Sequence, residues 1–189
     1  SPRRCRDVHY RWEALAGGIH RCRLPFLDVS VGLAVGPDAV LLIDCGTTLS
    51  EAERLADDII ELAGRPVNDI VLTHHHFDHI LGSAGFPGAR LHCAAPVTVA
   101  LTSGVDALRE HAVGYGAEPD EVDRTVARLR APDHVVSNTL IHLGDRAVRV
   151  EHPGRGHTDH DLAVIVPPRN PGEPPVVFCG DLIEESADP

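Results

Sequence analysis

The sequence has no methionine, no C-x-x-C pair, no apolar stretch near the roughly 18 to 20 residues that cross a bilayer, and little positive charge. Each absence excludes something. Without methionine, Ser1 is not a translation start, so the expected chain is one whose earlier part was cut, processed or omitted; a leader removed there leaves no trace. Without a long apolar run, no membrane partner is expected. Seventeen Lys and Arg against 28 Asp and Glu give a net charge of −11, which repels polyphosphate and anionic lipid at long range. Nucleic acid is therefore not an expected partner. The five cysteines, Cys5, Cys22, Cys45, Cys93 and Cys179, are odd in number, whereas a disulfide framework or a zinc ribbon needs close, repeated pairs. They read as buried free thiols, which favours a reducing compartment and a cytoplasmic location.

What is present is a chain of 189 residues, 43% hydrophobic and 24% charged, ordinary values for a globular protein. That length suits one domain, here residues 1–189, with a core large enough to dispense with disulfides. Histidine is the exception: there are 13, and His74, His75, His76 and His79 fall within six positions. Scattered surface usage does not produce that density, and metal binding does.

Along the chain, Gly18 to Arg23, Val29 to Val35 and Ala39 to Ile43 read as strands of an antiparallel meander, with a turn at Gly36-Pro37-Asp38. Ser50 with Glu53 reads as a capping box, and Ala52, Leu55, Ala56, Ile59 and Leu62 recur at helical spacing until Gly64 and Pro66. Asp69 to Thr73 is a short buried strand that ends where the histidines begin. The stretch from Ala94 to Arg130 is mostly helical in character, with a helix start at Glu118-Pro119-Asp120-Glu121. Strands return at Thr139 to Leu143, Ala147 to Glu151, Leu162 to Val166 and Val176 to Cys179. Strands alternating with helices, and no internal linker, indicate an α/β domain.

In an extended loop, side chains two residues apart point the same way, so His74 and His76 can converge on one ion while His75 and Phe77 face elsewhere. Asp78 and His79 lie one short turn further on, within reach of a second ion. Imidazole with carboxylate selects zinc, with iron or manganese as competitors. His157, flanked by Gly154 and Gly156, is the expected third nitrogen on the first ion, and Thr158 can hold that loop by hydrogen bonding. Asp181 emerges from the end of an apolar strand, where it can bridge two cations or bind the second alone; an N-cap role for the segment from Leu182 is the competing reading. Asp44, also at a strand end, is expected to orient a ligand histidine or its loop.

On these residues the chain resembles the metallo-β-lactamase superfamily over nearly its whole length. His74, His76, Asp78 and His79 match its H-x-H-x-D-H signature, His157 its third-block histidine, Asp181 its bridging aspartate and Asp44 its first-block aspartate. The resemblance implies an αββα four-layer sandwich with a dinuclear site at one edge, between the two sheets. It also implies a further strand carrying a final histidine, which nothing between Asp181 and Pro189 supplies. The expectation is thus a piece of a longer chain with its C-terminal elements missing, a weakened second metal site, and possible self-association through uncovered apolar surface.

The implied reaction is hydrolysis of a small-molecule lactam, lactone, ester or thioester, with a metal-bound hydroxide attacking the carbonyl carbon and Asp78 orienting it and relaying its proton. Two other readings stay open: a mononuclear iron oxygenase using the same His74, His76 and His157, and a catalytically silent domain that binds metal or a partner.

Overall fold

The computed structural model describes residues 8–184, so Cys5 lies outside the described residues. Seven strands form one sheet in chain order: β1 (Trp12–Ala16), β2 (Ile19–Arg23), β3 (Ser30–Val35), β4 (Val40–Ile43), β5 (Asp69–Leu72), β6 (Arg90–Cys93) and β7 (His134–Val135). β2 to β4 pair antiparallel, as the meander expectation has it, β1 adds antiparallel to β2, and β4 to β7 pair parallel. Four more strands, β8 (Asn138–His142), β9 (Ala147–Glu151), β10 (Ala163–Val166) and β11 (Val176–Phe178), make an antiparallel second sheet in the order β11-β10-β9-β8.

Alternation along the strands sets the layers. Val40, Leu42, Ile70 and Leu72 face a core shared with the helices α1 (Leu49–Ala63), α2 (Phe77–Ile80), α3 (Ala95–Thr102), α4 (Val105–Gly114) and α5 (Pro119–Val126). Leu41, Ile43 and Val71 point the opposite way and meet Ile141, Val148, Val150, Val164 and Val166 of the second sheet. On the far side of that sheet Leu140 and Val177 are 55% and 51% exposed, and no helix covers them among the described residues. Three of the four expected layers are therefore present in residues 8–184. None of the described helices is long and apolar enough to cross a membrane.

Several expectations shift. The capping box of α1 is Thr48 with Glu51, two residues upstream of the Ser50–Glu53 reading: Glu51 N–H donates to Thr48 Oγ1 at 3.2 Å and Thr48 N–H donates to the Glu51 carboxylate at 3.0 Å. Ser50 N–H instead donates to Glu121 of α5 at 2.9 Å. Gly64, with φ of 71°, ends the helix as expected. β1 and β6 were not anticipated. Cys22, Cys45 and Cys93 are buried free thiols, but Cys179 is only partly buried.

The strand that delivers the histidine cluster is anchored by charge at its other end. Asp69, 2% exposed, accepts from Arg90 Nε at 2.8 Å and lies 2.8 Å from His92 Nε2. Burial alone would raise its pKa, and the hydrogen bonds from His92 and Arg90 outweigh this and lower it to about 2. A depressed carboxyl contributes stability above its unfolded pKa, which is lost as pH falls through the folded value. Asp69→Asn should thus cost about 2 kcal/mol at neutral pH and flatten the loss of stability between roughly pH 4 and pH 2. Urea unfolding as a function of pH checks this; an unchanged acid limb would show that the pair is energetically idle.

Candidate metal centre

The carboxyl end of β5 faces the β9–β10 loop and the end of β11, so segments from both sheets meet at one edge. Asp44, in the turn after β4, adopts a φ of 58°, unusual for a residue with a side chain, and is 1% exposed. Its Oδ1 accepts from Thr73 N–H at 2.8 Å, and its Oδ2 accepts from the Thr73 hydroxyl at 2.8 Å and from His79 Nδ1 at 2.7 Å. An ionised carboxylate only accepts, so the Thr73 hydroxyl proton points at Asp44 and its oxygen is left to accept from His74 Nδ1, 2.9 Å away. Protonation on Nδ1 leaves the lone pair of His74 on Nε2. Asp44 thus contacts two histidines, His79 directly and His74 through Thr73.

His74 Nε2, fully buried, lies 3.1 Å from His76 Nδ1, which in turn lies 3.0 Å from His157 Nε2. Glu184 sits 3.3 Å from His157 Nδ1, on the side of the ring away from His76. Asp181 Oδ2 is 3.7 Å from both His74 Nε2 and His157 Nε2. The donor atoms of His74, His76, His157 and Asp181 all lie within 4.8 Å of one another. A proton on His76 Nδ1 points at only one of the two nitrogens that face it, whereas a cation between them satisfies all three. Tetrahedral zinc with bonds of 2.0 to 2.1 Å needs nitrogens about 3.3 Å apart, close to what these rings already have. The donor set fits a zinc-like ion.

The other carboxylate oxygen of Asp181 turns the opposite way. Oδ1 lies 3.2 Å from His79 Nε2, and Asp78 Oδ2 lies 3.6 Å from that same nitrogen. Asp181 therefore stands between the His74–His76–His157 group and the Asp78–His79 pair, one oxygen toward each. It is not a helix cap: it lies inside a 3-10 turn, Gly180–Leu182, preceded by Cys179. Gly180, with φ of 54°, is obligatory because a Cβ there would sit 2.6 Å from Thr73 Oγ1.

The electrostatics agree with this division. Burial first, then the charges of His79, His76 and His157, push the His74 imidazole far below its ordinary value, and burial lowers His76 to about 4. Both rings are neutral at pH 7 and available as ligands. Burial would also lower His79, but Asp44, Asp181 and Asp78 outweigh it and hold the ring well above its usual value. Burial raises Asp78. Asp181 is lowered, because the bond to His79 overcomes the burial that would raise it.

Within its loop, Thr158 N–H donates to Asp161 Oδ2 at 2.7 Å, and Thr158 Oγ1 accepts from His160 N–H at 3.2 Å. Thr73 and Glu184 were not anticipated. Thr73 carried a signal in its place directly before the first histidine at a strand end; Glu184 carried none.

A two-sheet α/β sandwich whose common edge gathers histidines and aspartates of this kind defines a class of metal-binding proteins. The chain belongs to the metallo-beta-lactamase superfamily, whose family model matches residues 24–189. Solved structures similar in fold include the metallo-beta-lactamase SMB-1 in a complex with mercaptoacetic acid, 24% identical over 92% of this chain and 66% of that one, with a TM-score of 0.65. FEZ-1 from Legionella gormanii is 17% identical over 89% of this chain and 63% of its own, with a TM-score of 0.67. FIM-1 from Pseudomonas aeruginosa, in its mono-zinc form, is 17% identical over 84% and 65%, with a TM-score of 0.58. The chain spans just under two thirds of the length of these proteins. No curated protein sequence matches it significantly.

Proposed function

We propose that the chain carries the centre of a zinc-dependent hydrolase acting on a small-molecule lactam, lactone, ester or thioester. The observation that carries this reading is the convergence of three imidazole nitrogens at 3.0 to 3.1 Å, with the lone pair of His74 turned inward through Thr73. His74, His76 and His157 would hold one ion, and Asp78, His79 and Asp181 a second, with Asp181 shared through its two oxygens. Zinc in such a site supplies a Lewis acid that lowers the pKa of water from about 15.7 toward 7 and polarises a carbonyl. The mono-zinc form of FIM-1 supports zinc over iron or manganese.

The chain's own residues supply the rest. Asp44 fixes the orientation of the His79 ring directly and, through Thr73, the tautomer of His74, so both rings turn Nε2 toward Asp181. Asp78, raised by burial, would take a proton from water at Oδ2 and return it to the leaving group.

Elemental analysis after metal reconstitution, coupled to a panel of chromogenic lactams, lactones, esters and thioesters, tests the reading. One tight and one weaker zinc equivalent, with turnover of at least one class, is the expected result. Tight iron with oxygen consumption would favour the oxygenase, and metal binding without turnover the silent domain.

A further inference from the structure

His75 and His160, neither of them among the converging donors, make a further side-chain connection between the two ligand-bearing loops. His75 Nδ1 lies 3.0 Å from His160 Nε2, with the ring centroids 4.8 Å apart. His160 Nδ1 lies 2.8 Å from the Asp159 carboxylate, which can only accept, so that nitrogen carries the proton. With the proton on Nδ1, His160 turns Nε2 toward His75, whose Nδ1–H donates to it. The direction of the bond is set from Asp159 outward.

His157 needs such a tether. It sits between β9 and β10 in a loop with no helix and no strand ladder of its own. Within that loop, Gly156 N–H donates to Thr158 O at 2.9 Å and Thr158 N–H donates to Asp161. Toward the His74–His79 segment, Leu162 N–H donates to Thr73 O at 2.9 Å, five residues beyond His157, and the His75–His160 bond joins the flanks. Alternation in the extended segment places His74 and His76 on the side of His157 and His75 on the side of His160. His160 is 7% exposed, yet one side of it borders a cavity of about 280 Å³ lined by Ala94, Val135, Val136, His152 and Leu162. Packing alone does not fix that ring, and its two polar bonds do.

We infer that His75 and His160 are a positioning pair that sets the distance of His157 from His74 and His76, and so the affinity of the centre for its metal. The inference rests on the metal-centre reading above. Partners that orient ligands typically contribute 10- to 100-fold in metal affinity.

Zinc affinity by competition with a chromophoric chelator, the visible spectrum of the cobalt-substituted protein, and thermal unfolding of the metal-free protein form the test. His160→Ala and His75→Ala should each weaken zinc binding by roughly 10-fold or more and alter the cobalt spectrum, with little change in metal-free unfolding. The double variant should lose no more than either single one. His160→Gln, whose side-chain carbonyl can still accept from His75, should recover most of the affinity. Additive losses, unchanged affinity, or a loss matched by an equal drop in metal-free stability would overturn the positioning role while leaving the centre in place. A wild-type chain that binds neither zinc nor cobalt would overturn the centre itself, and this inference with it.

Discussion

His76→Ala should strip the centre of its metal at ordinary zinc concentrations. His76 Nδ1 is the atom common to the short contacts, 3.1 Å from His74 Nε2 and 3.0 Å from His157 Nε2, so its loss leaves two nitrogens with nothing between them. Zinc held by four protein ligands is worth about 10 to 16 kcal/mol, so one ligand carries roughly 3 to 4 kcal/mol, or a ~300-fold loss of affinity. Hydrolysis, on the reading proposed above, falls at least as far. Equilibrium dialysis against zinc measures the first effect. Because His76 is only partly buried, the metal-free fold should unfold at nearly the wild-type temperature. Retention of tight zinc in His76→Ala would mean that another donor, with His75 the nearest in sequence, takes its place.

Gly82→Ala should produce the largest change in stability of any single methyl group added near the site. A Cβ at Gly82 would lie 1.9 Å from the carbonyl oxygen of Cys45 and 2.7 Å from its carbon, both backbone atoms that cannot swing aside. This close approach is what ties the turn after β4 to the turn after α2: Gly82 N–H donates to Gly46 O at 2.9 Å, and Cys45 N–H donates to His79 O at 3.1 Å. Overpacking of this kind costs about 3 kcal/mol, which lowers the unfolding temperature of a chain this size by roughly 6 to 12 °C. The displacement also pulls Asp44 from His79, so zinc binding should weaken in the same variant. A wild-type urea midpoint would show that the turn can shift at little cost.

The candidate donors are legible in the sequence because their signal is local. His74, His76, Asp78 and His79 lie in one short segment whose alternation alone sorts inward from outward side chains, and Asp181 and Asp44 each follow an apolar strand. What escaped was either weakly patterned or far apart in sequence. β1 has the burial pattern of an edge strand, mostly exposed, and so lacks apolar alternation; β6 is four residues long. The capping box was read two residues late because both Thr48-x-x-Glu51 and Ser50-x-x-Glu53 satisfy the motif, and only the contact of Ser50 with Glu121, 71 positions away, decides between them. His75 and His160 are 85 positions apart, and no spacing rule connects them. Gly82 looks like any loop glycine until the chain that passes over it is in place.

The ligands leave the two sheets separately, His74, His76, Asp78 and His79 from the larger and His157 and Asp181 from the smaller. An ion held between His74 and Asp181 would therefore close a covalent circuit of chain. The described cysteines are all free, so no disulfide among them does this work. Closing a loop of roughly a hundred residues removes about 4 to 5 kcal/mol of entropy from the unfolded chain, if the link survives unfolding as a disulfide does. A coordinated ion is released on unfolding instead, so its grip on the folded state rises and falls with the free metal around it. The seam between the sheets would then be as firm as the surrounding metal supply makes it.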